Sequence, residues 1–155
     1  MQPPSSLYQY VPLMPDGSTF RIVSIVSIFA GKGDSQIKYH FFEVPNSSKP
    51  KYSALTYTWG DPTITSFVRV HGHVIGTAEN PPRRLETSER PSECSHIWID
   101  ALCINQKNEL EKATQIPLMR RIYQQSNLVT IYLGTYSDGS DTIPARAHRK
   151  STQAD

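Results

Sequence analysis

The feature that most constrains the fold of this 155-residue chain lies between residues 96 and 134. His96 to Asp100 (HIWID) is a compact apolar run that reads as a strand, and Leu128 to Leu133 (LVTIYL), ended by Gly134, reads as another. Between them, Asn108 to Gln125 has helical composition, with Ile116, Met119, Ile122 and Tyr123 on one helical face. A strand, a helix of about five turns and a second strand make a βαβ unit. The two strands of such a unit are normally parallel, with the helix crossing over on the right-handed side.

The N-terminal half has a different rhythm. Arg21 to Phe29 (RIVSIVSIF) and Ile37 to Val44 (IKYHFFEV) flank the turn residues Gly31 to Asp34 and predict a hairpin. Tyr52 to Trp59 (YSALTYTW) predicts a third strand, ended by Gly60-Asp61-Pro62. Phe67 to Val70 and Val74-Ile75 flank His71-Gly72-His73 and predict a short hairpin. This half reads as antiparallel, so the fold class expected is α/β, with a mixed β-sheet and a C-terminal βαβ unit. Residues 1–19, with four prolines and Gly17, read as a loosely draped arm. Residues 20–134 read as the domain and 135–155, where Ile143 is the only large aliphatic residue, as a disordered tail. Ala78 to Ser95 is polar, contains Pro81, Pro82 and Pro91, and has room for a short helix at most.

Composition excludes several functions. The net charge of +2 is too mild for a nucleic-acid partner. Two cysteines do not make a disulfide scaffold. The longest apolar stretch, Ile25 to Ala30, is interrupted by Ser27 and predicts no membrane span. The opening Met-Gln-Pro-Pro-Ser-Ser lacks the pattern of a signal peptide, so a cytoplasmic location is expected. The apolar share of 37% is low, and the deficit falls in the arm, in Ala78 to Ser95 and in the tail.

Ligands of open α/β sheets gather beyond the carboxyl ends of the strands. Asp100 lies at that end of the HIWID strand and is followed by Asn105 and Gln106; Asp61 lies past the end of the third strand, beside Trp59. If the two strands are parallel neighbours, these residues line one edge. The alternative is structural: Asp100 caps backbone N–H groups, Asp61-Pro62 is a turn, and Trp59 and Trp98 are core. His71, His73, Cys94 and His96 form two pairs spaced as on a strand, but the spacings match no standard finger and no metal site is expected. Cys103, without a His or Lys beside it, reads as a small buried hydrophobe.

Two blocks are specific. Tyr52-Ser-Ala-Leu-Thr-Tyr-Thr-Trp-Gly-Asp61 and Trp98-Ile-Asp-Ala-Leu-Cys-Ile-Asn-Gln106 closely resemble the signature blocks of the fungal heterokaryon-incompatibility (HET) domain. Glu111, Gln115, Met119, Ile122-Tyr123, Val129 and Leu133-Gly134 match the spaced positions that follow, and Tyr8 to Leu13 resembles the lead-in. The resemblance covers roughly residues 20–134. It marks Trp59, Gly60, Asp61, Trp98, Asp100, Asn105, Gln106 and Gln115 as motif or ligand-binding positions.

The resemblance implies an effector module of non-self recognition that triggers programmed cell death when incompatible hyphae fuse, with self-association and other protein partners. It also implies a distant, flavodoxin-like similarity to TIR domains, some of which cleave NAD. For that chemistry a carboxylate must stabilise an oxocarbenium-like centre, and Asp100 and Glu111 are the candidates. NAD would then be the substrate, with Asn105 and Gln106 bonding its ribose or amide and Trp59 holding a flat ring. A glutamate in a first helical turn is also favoured by the helix dipole without any catalysis.

The sequence departs from the family pattern in three places. Pro81-Pro82 stand where a leucine-bearing helix usually begins, predicting a shortened helix. Pro117 lies inside the Asn108 to Gln125 helix, where it removes a backbone bond and crowds the carbonyl of Ala113 at about 3 kcal/mol. The helix is therefore expected to kink or break there. Finally, the chain ends soon after Gly134, where relatives continue, so a truncated, inactive copy is the remaining alternative.

Overall fold

The computed structural model describes residues 6–29, 36–57, 66–77 and 96–132. The turn at Gly31 to Asp34, the motif residues Trp59, Gly60 and Asp61, the polar stretch Ala78 to Ser95 with Cys94, and the tail 135–155 lie outside the described residues.

Seven strands form one mixed sheet among the described residues: β1 Thr19–Phe29, β2 Gln36–Pro45, β3 Ser53–Tyr57, β4 Ser66–Val70, β5 His73–Thr77, β6 His96–Ile99 and β7 Leu128–Tyr132. Their order is β5-β4-β2-β1-β6-β3-β7. The two expected hairpins are present, β1 with β2 and β4 with β5, each antiparallel. The β1–β2 register shifts between Ile25 and Ser27, so β1 carries a bulge. The N-terminal half is not wholly antiparallel, however, because β2 and β4 run parallel, Lys38 opposite Arg69 and Tyr39 opposite Val70.

The two strands of the βαβ unit are parallel but not neighbours. β3 lies between β6 and β7 and is parallel to both, with Ala54 opposite Trp98 on one side and Val129 on the other. Both faces of this inner strand are covered, which explains why Ser53, Ala54 and Leu55 are consecutively buried.

The helix expected over Asn108 to Gln125 is broken at Pro117, as its proline predicts, and a short unexpected turn of helix precedes it. α1 Asp100–Cys103 follows β6 directly; α2 Glu109–Gln115, a 3-10 turn Ile116–Leu118 and α3 Met119–Gln125 follow. Pro117 sits in the 3-10 turn, where its missing N–H and ring end the i→i−4 ladder. The turn also changes the helical phase. Ile122 is buried and Met119 and Tyr123 pack on the core, but Ile116, expected on the same face, is exposed.

The core is built from Phe20, Ile22, Val23, Tyr39, Tyr52, Trp98, Ile99, Leu102 and Ile122, with Tyr8 and Tyr10 of the arm packed against it. Burying one such large side chain contributes about 1.5–3 kcal/mol. Residues 6–18 cross the sheet rather than leaving it. Leu7 bridges to Val74 of β5, the Tyr8 amide donates to the Val74 carbonyl at 2.9 Å, and Leu13 is buried.

Candidate functional site

The carboxyl ends of β3, β6 and β7 share one edge because the three strands are parallel. Asp100 is the residue at which β6 becomes α1, and its Oδ1 accepts from the Ala101 amide at 2.8 Å. Its side chain is partly exposed; burial raises the pKa of the Tyr123 phenol, and the Asp100 charge adds a smaller rise. Tyr123 shares a side-chain hydrogen bond with Thr56, near the end of β3. Thr56, Asp100 and Tyr123 therefore meet at the edge that the topology predicts for a ligand. The Gln106 amide, exposed on the same segment, donates to the Asp100 carbonyl at 3.0 Å and the Ile104 carbonyl at 3.3 Å. Trp59, Gly60 and Asp61 follow β3 in sequence, outside the described residues.

Other motif residues are tied into the fold. Trp98 is 1% exposed and meets the Tyr123 ring edge-on, with centroids 5.1 Å apart. Asn105 forms a turn, its Oδ1 accepting from the Lys107 amide at 3.2 Å. Gln115 is buried and donates from Nε2 to the Thr19 carbonyl at 2.9 Å, fastening α2 to the start of β1.

Glu111 lies in the first turn of α2, as expected, but its surroundings are not those of an exposed helix start. Asn108 caps the helix, its Oδ1 accepting from the Glu111 amide at 3.1 Å. In a capping box the glutamate would reach back to the cap residue. Here Glu111 reaches further: Oε1 accepts from the Asn105 amide at 2.8 Å and also from Arg21 Nη1, while Oε2 accepts from Arg21 Nη2 at 2.9 Å. The side chains of this bidentate pair are only 3% and 5% exposed.

Arg21 escaped the sequence reading. It opens an apolar strand, and nothing local distinguishes it from a solvated flank. Its guanidinium also donates to the Cys103 carbonyl at 3.0 Å and the Val11 carbonyl at 2.6 Å, and lies 4.9 Å from the centre of the Tyr10 ring. The Tyr10 hydroxyl donates to the Leu102 carbonyl at 2.9 Å. Four elements thus converge on one cation: the arm, β1, the end of α1 and α2. Removing one member of such a buried pair typically costs about 3–5 kcal/mol, because the other charge is left uncompensated.

Cys103 is buried, as read from the sequence, and burial pushes its thiol up to about 12. His71 lies at the tip of the β4–β5 hairpin and His73 at the start of β5, and His71 stacks on His40 with ring centres 4.5 Å apart. Among the described residues, no three His, Cys, Asp or Glu side chains group as metal ligands.

The family model described as heterokaryon incompatibility protein (HET) matches residues 52–155, which span β3, the Asp100 edge and α2 to β7. Heterokaryon incompatibility protein 6, OR allele, of Neurospora crassa is 35% identical over 115 residues, covering 66% of this chain. The chain spans 17% of that relative's length. No solved structure matches. The two blocks that resembled the signature of the family therefore do so because this chain belongs to the heterokaryon-incompatibility (HET) family.

Proposed function

We propose that this chain is an effector module of fungal non-self recognition, which triggers cell death by assembling with copies of itself and with protein partners in the cytoplasm. The observation that carries this reading is a set of exposed apolar side chains on the arm and the α2 segment. Val11, Met14, Leu110 and Ile116 are 66%, 54%, 81% and 53% exposed. The Val11 carbonyl and the Glu111 carboxylate bind the same guanidinium, so the backbones carrying Val11 and Leu110 come close together. Exposed apolar side chains on two segments tied by one guanidinium suit association, and clustering raises effective concentration without any chemical step.

Induced expression of residues 1–155 in a filamentous fungus, scored with a vital dye, tests the proposal. Death is expected, with oligomers in size-exclusion chromatography, and Leu110→Arg should remove both while leaving the melting temperature unchanged. Death that persists undiminished in a monomeric Leu110→Arg variant would sink the assembly reading.

A second reading, TIR-like cleavage of NAD, is favoured by the Asp100 carboxylate at the carboxyl edge of three parallel strands, beside Tyr123 and Gln106. A carboxylate placed there would stabilise an oxocarbenium-like ribose centre. Loss of NAD followed by chromatography, abolished by Asp100→Asn, would support it; an intact NAD pool during cell death would reject it.

A further inference from the structure

We propose that the Arg21–Glu111 pair is a positioning clamp, which holds the arm, the Ala101–Gln106 segment and α2 in one arrangement, and that Glu111 acts through this clamp rather than on a ligand. The carboxylate has little left to offer a substrate. Both its oxygens face Arg21, and Oε1 also carries the Asn105 amide. The guanidinium is similarly committed, to the Cys103 and Val11 carbonyls and to the Tyr10 face.

The two halves of the clamp hold different things. Glu111 fixes the signature segment through Asn105, while Arg21 fixes the arm through Val11 and Tyr10. A planar fork with five N–H groups can hold a carboxylate through both oxygens and two carbonyls at once, four bonds where a lysine has only three donors. The clamp therefore sets the relative position of the exposed apolar residues on the arm and α2, and also the segment leading from Asp100 to Gln106.

The clamp itself rests only on these contacts; its consequence for cell death rests on the proposed function. Replacing Glu111 separates positioning from catalysis. Glu111→Gln keeps an acceptor for the Asn105 amide but cannot act as a base or nucleophile, whereas Glu111→Ala removes the acceptor. In the full chain, amide exchange of Asn105 should be at least tenfold faster in Glu111→Ala than in Glu111→Gln, because both variants leave the Arg21 charge uncompensated and only the alanine variant also loses the acceptor. Cell death should follow the same order, weaker in the alanine variant than in the glutamine variant.

Where Glu111→Ala does not fold, Arg21→Met/Glu111→Gln removes both charges and leaves no unpaired ion. In that variant Asn105 should remain protected while the Tyr8 amide, which bonds the Val74 carbonyl, exchanges at least tenfold faster. Unchanged Asn105 exchange in a folded Glu111→Ala protein would overturn the clamp. So would loss of cell death in Glu111→Gln with Asn105 still protected, or an unaltered Tyr8 amide in the double variant. If wild-type protein causes no death, the functional reading fails and amide exchange alone decides the clamp.

Discussion

Arg21 and Ser53 are both polar residues buried in the sheet, and they show opposite ways of living there. Arg21 has its hydrogen bonds met by a carboxylate and two carbonyls. The Ser53 hydroxyl is buried on β3 and finds no hydrogen-bond partner among the described residues. An unmatched buried hydroxyl costs about 1–3 kcal/mol. Ser53→Ala is therefore expected to raise unfolding stability by about 1 kcal/mol, read from the urea midpoint; a lower midpoint would mean that the hydroxyl is matched in solution. Burial also leaves an acid-base signature. Cys103 and Tyr52 are each pushed up to about 12, from ordinary values of 9.0 and 10.0, and Tyr10 is raised further by desolvation. The unfolded chain releases these protons before the folded one does, so it binds fewer protons in alkaline solution. Stability should be fully present below about pH 9 and fall as pH rises through 10 toward 12. Urea midpoints measured across that range check the sign, and a midpoint that holds steady to pH 12 would contradict it.

The elements differ in how openly the sequence announced them. The two hairpins were legible because β-branched runs flank turn residues, and that signal is local. Asn108 was legible as the start of α2, and Pro117 as its end, for the same reason. The parallel pairing of β2 with β4 was not, because it joins residues about thirty positions apart and leaves no local mark. Nor did periodicity place β3 between β6 and β7, since that order depends on which long-range pairs bury most surface. The exposed Ile116 shows the limit of a single helical period: a 3-10 turn resets the phase, and the wheel drawn through it fails. At the β4–β5 tip, His71 and Gly72 have φ values of 49° and 83°, the two-residue turn with both central residues left-handed. A Cβ on Gly72 would meet nothing within 4 Å, so sterics with neighbours are irrelevant there. The left-handed backbone alone should make Gly72→Ala cost about 1–2 kcal/mol. Thermal unfolding would test this, and an unaltered midpoint would mean that the tip adopts another turn.

For the molecule as a whole, the candidate site was half legible. Asp100 and Gln106 were placed at the strand edge by a rule about topology, and they lie there. Arg21 was hidden because its role is set by Cys103, Val11 and Glu111, residues from 10 to 90 positions away. The same long-range logic makes the N-terminal arm part of the folded unit. Pro12 and Pro15 keep it from joining a regular element, yet Leu13 is buried, Tyr8 and Tyr10 pack on the core, and Val11 completes the Arg21 contacts. Proline favours this use, since a chain already restricted loses less entropy when it is laid down. Deleting residues 1–15 would strip Arg21 of its Val11 carbonyl and its aromatic face together, and would uncover Phe41, which the Tyr8 and Tyr10 rings approach to 5.3 and 5.7 Å. The expected result is a urea midpoint well below that of the full chain, with a smaller dependence on denaturant because less surface is buried on folding. The site should respond as well: exchange of the Leu102 to Asn105 amides should accelerate even in the fraction that remains folded, since Tyr10 no longer braces the Leu102 carbonyl. Equal midpoints and equal exchange in the shortened chain would mean that the arm rests on the sheet without supporting it.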